Sequence, residues 1–232
     1  MSDLHRGVND GTNNFDQSMS NYIAILNDYY TKGYALVLLG DIDNLGENPN
    51  RYSSIRKDPK QVIDLENRFY KKGRLYRVYG NHDSSLNDRA IVKETIDKDF
   101  TGITIHESFI LKKNGVSFFM FHGHQGDFMS DRFSGVARFF VHYVWTPYQF
   151  VTRTLIRLSS TQNHQKNKYD YDMAIFGETM RCVTVCGHSH RSKQSPNYIN
   201  TGYCNYASGA ITYLVIDSDS VMLFNCGGNE QD

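Results

Sequence analysis

The sequence predicts a layered α/β fold, and three observations carry that prediction. Short apolar runs end abruptly in polar clusters that contain glycine, two of these runs are preceded by segments of helical periodicity, and a glycine closes each helical segment. The first helix is expected over 18–31, with Tyr22, Ile25, Leu26 and Tyr29 on one face and Gly33 as its stop. The run 35–39 is continuously apolar, the pattern of a strand buried on both faces, and it ends in Gly40-Asp41. A second helix is expected over 59–72, stopped by Gly73, and strand 75–79 then runs into Gly80-Asn81-His82-Asp83. Further strands are expected near 103–111, over 116–121 leading into His122-Gly123-His124, and over 182–186 leading into Gly187-His188-Ser189-His190. Segments 211–216 and 221–224 read as a terminal hairpin.

Composition narrows the function classes. The 232 residues suit a single domain, 1–232, with a helical insertion at about 128–175. Lys plus Arg equal Asp plus Glu, at 25 each, so no nucleic-acid partner is expected and no basic groove for a nuclease is evident. No apolar run is long enough to span a membrane and no leader pattern opens the chain, so the expected location is cytoplasmic. Cys182, Cys186, Cys204 and Cys226 form no C-x-x-C pair and read as reduced, buried thiols.

In layered α/β proteins the loops at the carboxyl ends of strands converge. The groups so gathered are Asp3 and His5, Asp41, Asn81 with His82, His122 with His124, and His188 with His190. Six of the nine histidines fall in these clusters, which points to one shared site. Carboxylates and imidazoles without cysteine suit divalent ions such as Mn, Fe, Zn or Co. Asp-x-His and His-x-His spacings bring alternate residues of an extended segment to one ion. His106, His142 and His164 have no motif context.

The ordered set Asp-x-His, Gly-Asp, Gly-Asn-His-Asp, His-Gly-His and Gly-His-x-His resembles the calcineurin-like metallophosphoesterase superfamily, from Asp3 to His190 and on to Asn200-Thr201-Gly202. The resemblance implies a β-sandwich flanked by helices in a four-layer α/β/β/α arrangement. It implies a dinuclear phosphoric ester hydrolase, with manganese first among the metals. Asp3, His5 and His190 would hold one ion, Asn81, His122 and His188 the other, and Asp41 would bridge them through its two oxygens. A hydroxide between the metals would attack phosphorus in a phosphoester or pyrophosphate. His82 would be the general acid or transition-state stabiliser, with Asp83 favouring its imidazolium form, or else would only orient Asn81. His124 would contact substrate or support His122.

The chain departs from the family pattern at two places. The Asp-x-His motif begins at the third residue, without the strand of several residues that many family members carry before it, so either the sequence is a fragment lacking that strand or the amino terminus is anchored differently. Asn44 stands where an acid often follows the bridging Asp, with Asp43 beside it.

The segment 131–158 interleaves aromatic and aliphatic residues with Arg132, Arg138, Arg153 and Arg157, and Pro147 divides it into two expected helices. It reads either as a lid over the site or as a helical hairpin with its own core. In this position it resembles the lid of UDP-diacylglucosamine pyrophosphatases, although those enzymes carry Arg where this chain has His82. That resemblance implies a lipid-linked nucleotide-sugar substrate and peripheral contact with the inner membrane face. Arg132 and Arg138 would bind the anionic group of the substrate. A phosphorylated small molecule is the other substrate class. A third reading is a non-catalytic binding protein that retains the fold. Substrate, native metals and oligomeric state are left open by the sequence.

Overall fold

The computed structural model describes residues 1–7, 15–46, 51–57, 59–126 and 164–227, with side chains from 169 onward in the last stretch. In chain order the elements are α1 (Phe15–Thr31), β1 (Leu36–Leu39), α2 (Tyr52–Ile55), α3 (Lys60–Lys71), β2 (Leu75–Val78), α4 (Arg89–Glu94), β3 (Ile105–His106), β4 (Ser108–Lys113) and β5 (Val116–Phe121). After these come α5 (His164–Met180), β6 (Val183–Cys186), β7 (Lys193–Ser195), β8 (Tyr198–Asn200), β9 (Ile211–Ile216) and β10 (Val221–Cys226).

α1 buries Phe15, Tyr22, Ile25 and Leu26 on one face, as its periodicity predicts. Gly33, at φ 85°, lets Tyr34 N–H reach back to Tyr29 O at 3.1 Å and end the helix. Gly73 does the same for α3 at φ 66°, where Arg74 N–H donates to Phe69 O at 2.9 Å.

β1, β2 and β3 form a parallel three-stranded sheet, and a second sheet runs β4-β5-β6-β8-β7, with β9 and β10 as a hairpin. Side chains alternate between the two faces of these strands. From β1, Leu36 and Leu38 join the core under α1 and α3, while Val37 and Leu39 pack with Phe118, Met120, Val185 and Ile199 of the second sheet. From β5, Phe118 and Met120 face the first sheet, and Phe119 and Phe121 face Met173 and Phe176 of α5. The three cores therefore separate four layers, in the order helix, sheet, sheet, helix.

Two expectations are revised. The single strand expected near 103–111 is two: β3 pairs with β2 in the first sheet, and after Glu107 the chain crosses to pair β4 with β5 in the second. The amino-terminal segment is also fixed, although it is not an apolar strand. Met1, Asp3, His5 and Arg6 run parallel to β1 and its following loop through Leu39 N–H to Met1 O (2.8 Å), Asp3 N–H to Gly40 O (3.1 Å), His5 N–H to Asp41 O (2.9 Å) and Arg6 N–H to Ile42 O (2.9 Å). The expected helices in 131–158, with Arg132, Arg138 and Pro147, lie outside the described residues, as does His142. No helix among the described residues is long and apolar enough to cross a membrane.

Candidate metal centre

The amino-terminal segment, β1, β2, β5 and β6 each deliver a polar loop to the same place. Asp3, His5 and His190 bring ligand atoms within 4.8 Å of one another, and so do Asp41, His122 and His188. A third overlapping group is His5, Asp41 and His82. Asp41 belongs to the second and third of these groups, and His5 to the first and third, so the three adjoin.

The two carboxylates divide their oxygens in the same way. Asp3 Oδ2 accepts from His188 N–H at 3.1 Å, while Oδ1 faces His190 Nε2 at 3.2 Å and His5 Nε2 at 3.8 Å. Asp41 Oδ1 accepts from His82 N–H at 2.8 Å, while Oδ2 faces His122 Nε2 at 3.1 Å and His5 Nε2 at 3.7 Å. Asp41 Oδ2 thus faces the imidazoles, while Oδ1 is held by the His82 N–H.

The loops approach closely because glycines stand at the contacts. A Cβ on Gly80 would lie 2.2 Å from Asp41 Oδ1, and one on Gly187 would lie 2.2 Å from Asp3 Oδ2. Among the described residues, seven non-glycine positions have positive φ, and five of them are Asp3, His5, Asp41, His188 and His190. Such backbone costs roughly 1–2 kcal/mol per residue and persists only where the surroundings enforce it.

Asn81 is exposed between Gly80 and His82, both of which touch Asp41. His82 is exposed at the rim, with its ring 4.7 Å from that of His5 and its Nδ1 3.4 Å from Asn44 Oδ1. Asn44, which stands where an acid often follows the bridging Asp in the family pattern, thus faces the His82 ring. Burial, with His5 and His122 nearby, lowers the His82 imidazole below its ordinary value against the pull of Asp41. Asp83 also pulls the His82 imidazole up, as expected, and its buried carboxylate in addition accepts from Gly80, Asp41 and Ile42 N–H and pairs with Arg77. His124 packs 5.5 Å from the His122 ring and 6.4 Å from that of His188. Burial and those two neighbours push its imidazole down to about 3, so it is neutral.

The residues fit divalent cations on three grounds. His122 Nδ1 lies 2.8 Å from Leu39 O, which can only accept, so Nδ1 carries the proton and Nε2 offers a lone pair. That lone pair meets a carboxylate oxygen, and both Nε2 and Asp3 Oδ1 are buried without a well-formed hydrogen bond. Five buried carboxylates (Asp3, Asp41, Asp43, Glu66, Asp83) also gather here against two buried guanidinium groups, Arg6 and Arg77. Burial alone would lower the His122 imidazole, but Asp41 and Asp3 raise it to about 9. A cation would remove the same conflict without a proton. The donors are all nitrogen and oxygen, which suits Mn, Fe, Zn or Co.

Sequence reasoning missed two groups of residues. Tyr203 stacks on His190 with ring centroids 4.4 Å apart and 15° between planes, and no motif marks it. Arg6, Asp43, Glu66 and Arg77 form a buried ionic chain behind the candidate ligands. Arg77 carried a signal, being a charged residue inside the strand 75–79. The tail residue Asn200 is buried behind the last loop, donating to Gly187 O at 2.7 Å and Ser189 Oγ at 3.0 Å and accepting from Gly202 N–H at 2.9 Å.

No family model and no curated protein matches the chain. Among solved structures it is similar to an archaeal phosphodiesterase, at 16% identity over 97% of this chain and 96% of that one, with a TM-score of 0.44. It is similar to a phosphoesterase from E. coli at 16% identity, over 98% and 97% of the two chains, with a TM-score of 0.42. A third is a predicted phosphoesterase from Streptococcus pneumoniae, at 12% identity over 97% and 94%, with a TM-score of 0.39.

Proposed function

We propose that this chain is a metal-dependent phosphoesterase with two divalent ions, one on each side of Asp41. The observation that carries this reading is the 3.1 Å approach of the His122 Nε2 lone pair to Asp41 Oδ2 inside a site with more buried carboxylates than buried cations. Asp3, His5 and His190 would hold one ion, and Asn81, His122 and His188 the other. Ions bound there would polarise a phosphoryl group and activate water for attack.

The chain's own residues supply orientation and proton handling. Asp3 and Asp41 each commit one oxygen to a backbone N–H and leave the other facing imidazoles, which fixes the direction of both carboxylates before any ion binds. His82, tethered by Asn44 through Nδ1, keeps Nε2 for the substrate at the open rim. In its imidazolium form it can there donate to a phosphoryl oxygen or pass a proton to the leaving group. Neutral His124 sits inside the His122 and His188 pair, where its position supports their packing better than it supports charge pairing with phosphate.

The lipid-linked substrate and membrane contact rest on residues 131–158, outside the described part of the chain, and no observation within it favours them. The reading is tested with aryl phosphate and aryl phosphodiester as substrates, in Mn²⁺ and after chelation. Hydrolysis that needs the metal and falls at least 100-fold in His82→Ala supports it. Absence of metal-dependent hydrolysis with both substrates overturns it in favour of a non-catalytic protein of this fold.

A further inference from the structure

Behind the candidate metal centre, Arg6, Asp43, Glu66, Arg77 and Asp83 are each at most 1% exposed and form one chain of ion pairs. Asp83 Oδ2 lies 3.2 Å from Arg77 Nη2, which lies 2.7 Å from Asp43 Oδ2. Asp43 Oδ1 accepts from Arg6 Nε at 2.8 Å, and Arg6 Nη1 donates to Glu66 Oε1 at 2.9 Å. Tyr22 Oη donates to the same Glu66 oxygen at 2.8 Å and closes the far end. Buried ion pairs are often no better for stability than well-packed apolar groups, so such a chain points to a task apolar groups cannot perform.

The task is visible at its inner end. The Asp83 carboxylate accepts from Gly80 N–H at 2.5 Å, from Asp41 N–H at 3.3 Å and from Ile42 N–H at 3.2 Å. These donors belong to two loops, one after β1 that carries Asp41 and one after β2 that carries Asn81. Asp41 sits at φ 52°, a conformation that needs outside support. An apolar side chain at 83 would leave three buried N–H groups unpaired and the two loops untied.

We propose that Asp83, held by the chain Arg77–Asp43–Arg6–Glu66, is a positioning residue that fixes the Asp41 carboxylate and Asn81 relative to each other and so sets the spacing of the two ions. This deepens the reading above and rests on it. Asp83→Asn keeps the size of the side chain but turns one acceptor into a donor facing N–H groups and Arg77.

The test is calorimetric titration of the full chain with Mn²⁺, at a temperature where circular dichroism shows every variant folded. Leu26→Ala, a buried α1 change remote from the loops, serves as a control for lost stability. Asp83→Asn is expected to bind Mn²⁺ about 10–100-fold more weakly than wild type, the usual cost of losing a group that orients ligands, while Leu26→Ala binds as wild type. Arg77→Lys keeps the charge but not the two-sided reach, and should weaken binding at least roughly threefold; it decides the matter if Asp83→Asn does not fold. Unchanged affinity in these variants, or equal loss in Leu26→Ala, overturns the proposal. Wild type that binds no Mn²⁺ overturns the phosphoesterase reading itself, and the proposal with it.

Discussion

His122 presents Nε2 to Asp41 Oδ2 across 3.1 Å while its Nδ1 donates to the carbonyl of Leu39 at 2.8 Å. The ring is therefore anchored with its lone pair against a carboxylate, and either a proton or a cation must lie between them. In chelated protein the proton takes that place, which is why the imidazole rises to about 9. A folded-state value above the unfolded one, about 6.5, gives stability that is full below pH ~6.5 and is lost as pH rises through about 9. The loss is on the order of 3 kcal/mol. Thermal melts in EDTA across this window should fall more in wild type than in His122→Asn, and Mn²⁺ should abolish that difference. Parallel curves for the two proteins in EDTA would count against the arrangement.

Close approach of the loops gives a second prediction. Gly80→Ala would push a methyl group to 2.2 Å from Asp41 Oδ1, so one loop must move away from the other. The cores do not involve this position, so the protein should fold with a native circular dichroism spectrum. Metal affinity should drop about tenfold or more, by the same logic of ligand orientation. Titration with Mn²⁺ checks it, and wild-type affinity in the variant would show that the contact is not needed.

The buried ionic chain predicts an asymmetric response to mutation. Asp43 bonds both Arg6 and Arg77, so Asp43→Ala leaves two buried guanidinium groups facing each other and should cost about 3–5 kcal/mol. Burial alone would raise the Asp43 carboxyl, but the two arginines outweigh it and hold it below the usual carboxylate range. Its contribution is thus present above pH ~4 and is lost as pH falls through its folded-state value. Urea denaturation of wild type and variant at pH 7 and at pH 3 should show the difference shrinking at the lower pH. A constant difference would contradict the ion-pair account.

Tyr203 predicts a smaller effect. Its ring lies flat on His190, so Tyr203→Leu removes a stacking contact worth about 0.5–1.5 kcal/mol and frees the imidazole to turn. One class of metal site should weaken several-fold while the other is unchanged, which a two-site titration can resolve. Equal weakening of both would place the effect elsewhere.

The candidate ligands Asp41, His122, His188 and His190 were legible in the sequence because each stands in a short motif after an apolar strand, and strand ends converge by topology; Asp3 and His5 were legible from the Asp-x-His spacing alone. The ionic chain was not, because its partners are far apart along the chain: Arg6 and Asp43 are 37 residues apart, and Arg77 and Asp43 are 34 apart. Only Arg77, charged within a strand, gave a local hint. The pairing of residues 1–6 with β1 was hidden for a different reason. It is made by backbone groups, so the side chains of that segment need show no strand pattern. The passage from β3 to β4 was hidden because apolar residues continue while the chain changes sheets at Glu107. The second role of Asp83 was not legible either: besides its pull on His82, its buried carboxylate accepts from three backbone N–H groups of two loops.

The most direct measurement of the central claim is the rate of aryl phosphate and aryl phosphodiester hydrolysis as a function of Mn²⁺, for wild type and Asp41→Asn. The substitution keeps the shape at 41 and removes the charge that faces His122 and His5. Wild type should hydrolyse at least one substrate in a Mn²⁺-dependent manner, and Asp41→Asn should lose at least about 100-fold of that rate, roughly 2.7 kcal/mol in the barrier. Hydrolysis indifferent to Mn²⁺ and to the loss of the Asp41 carboxylate would contradict the account.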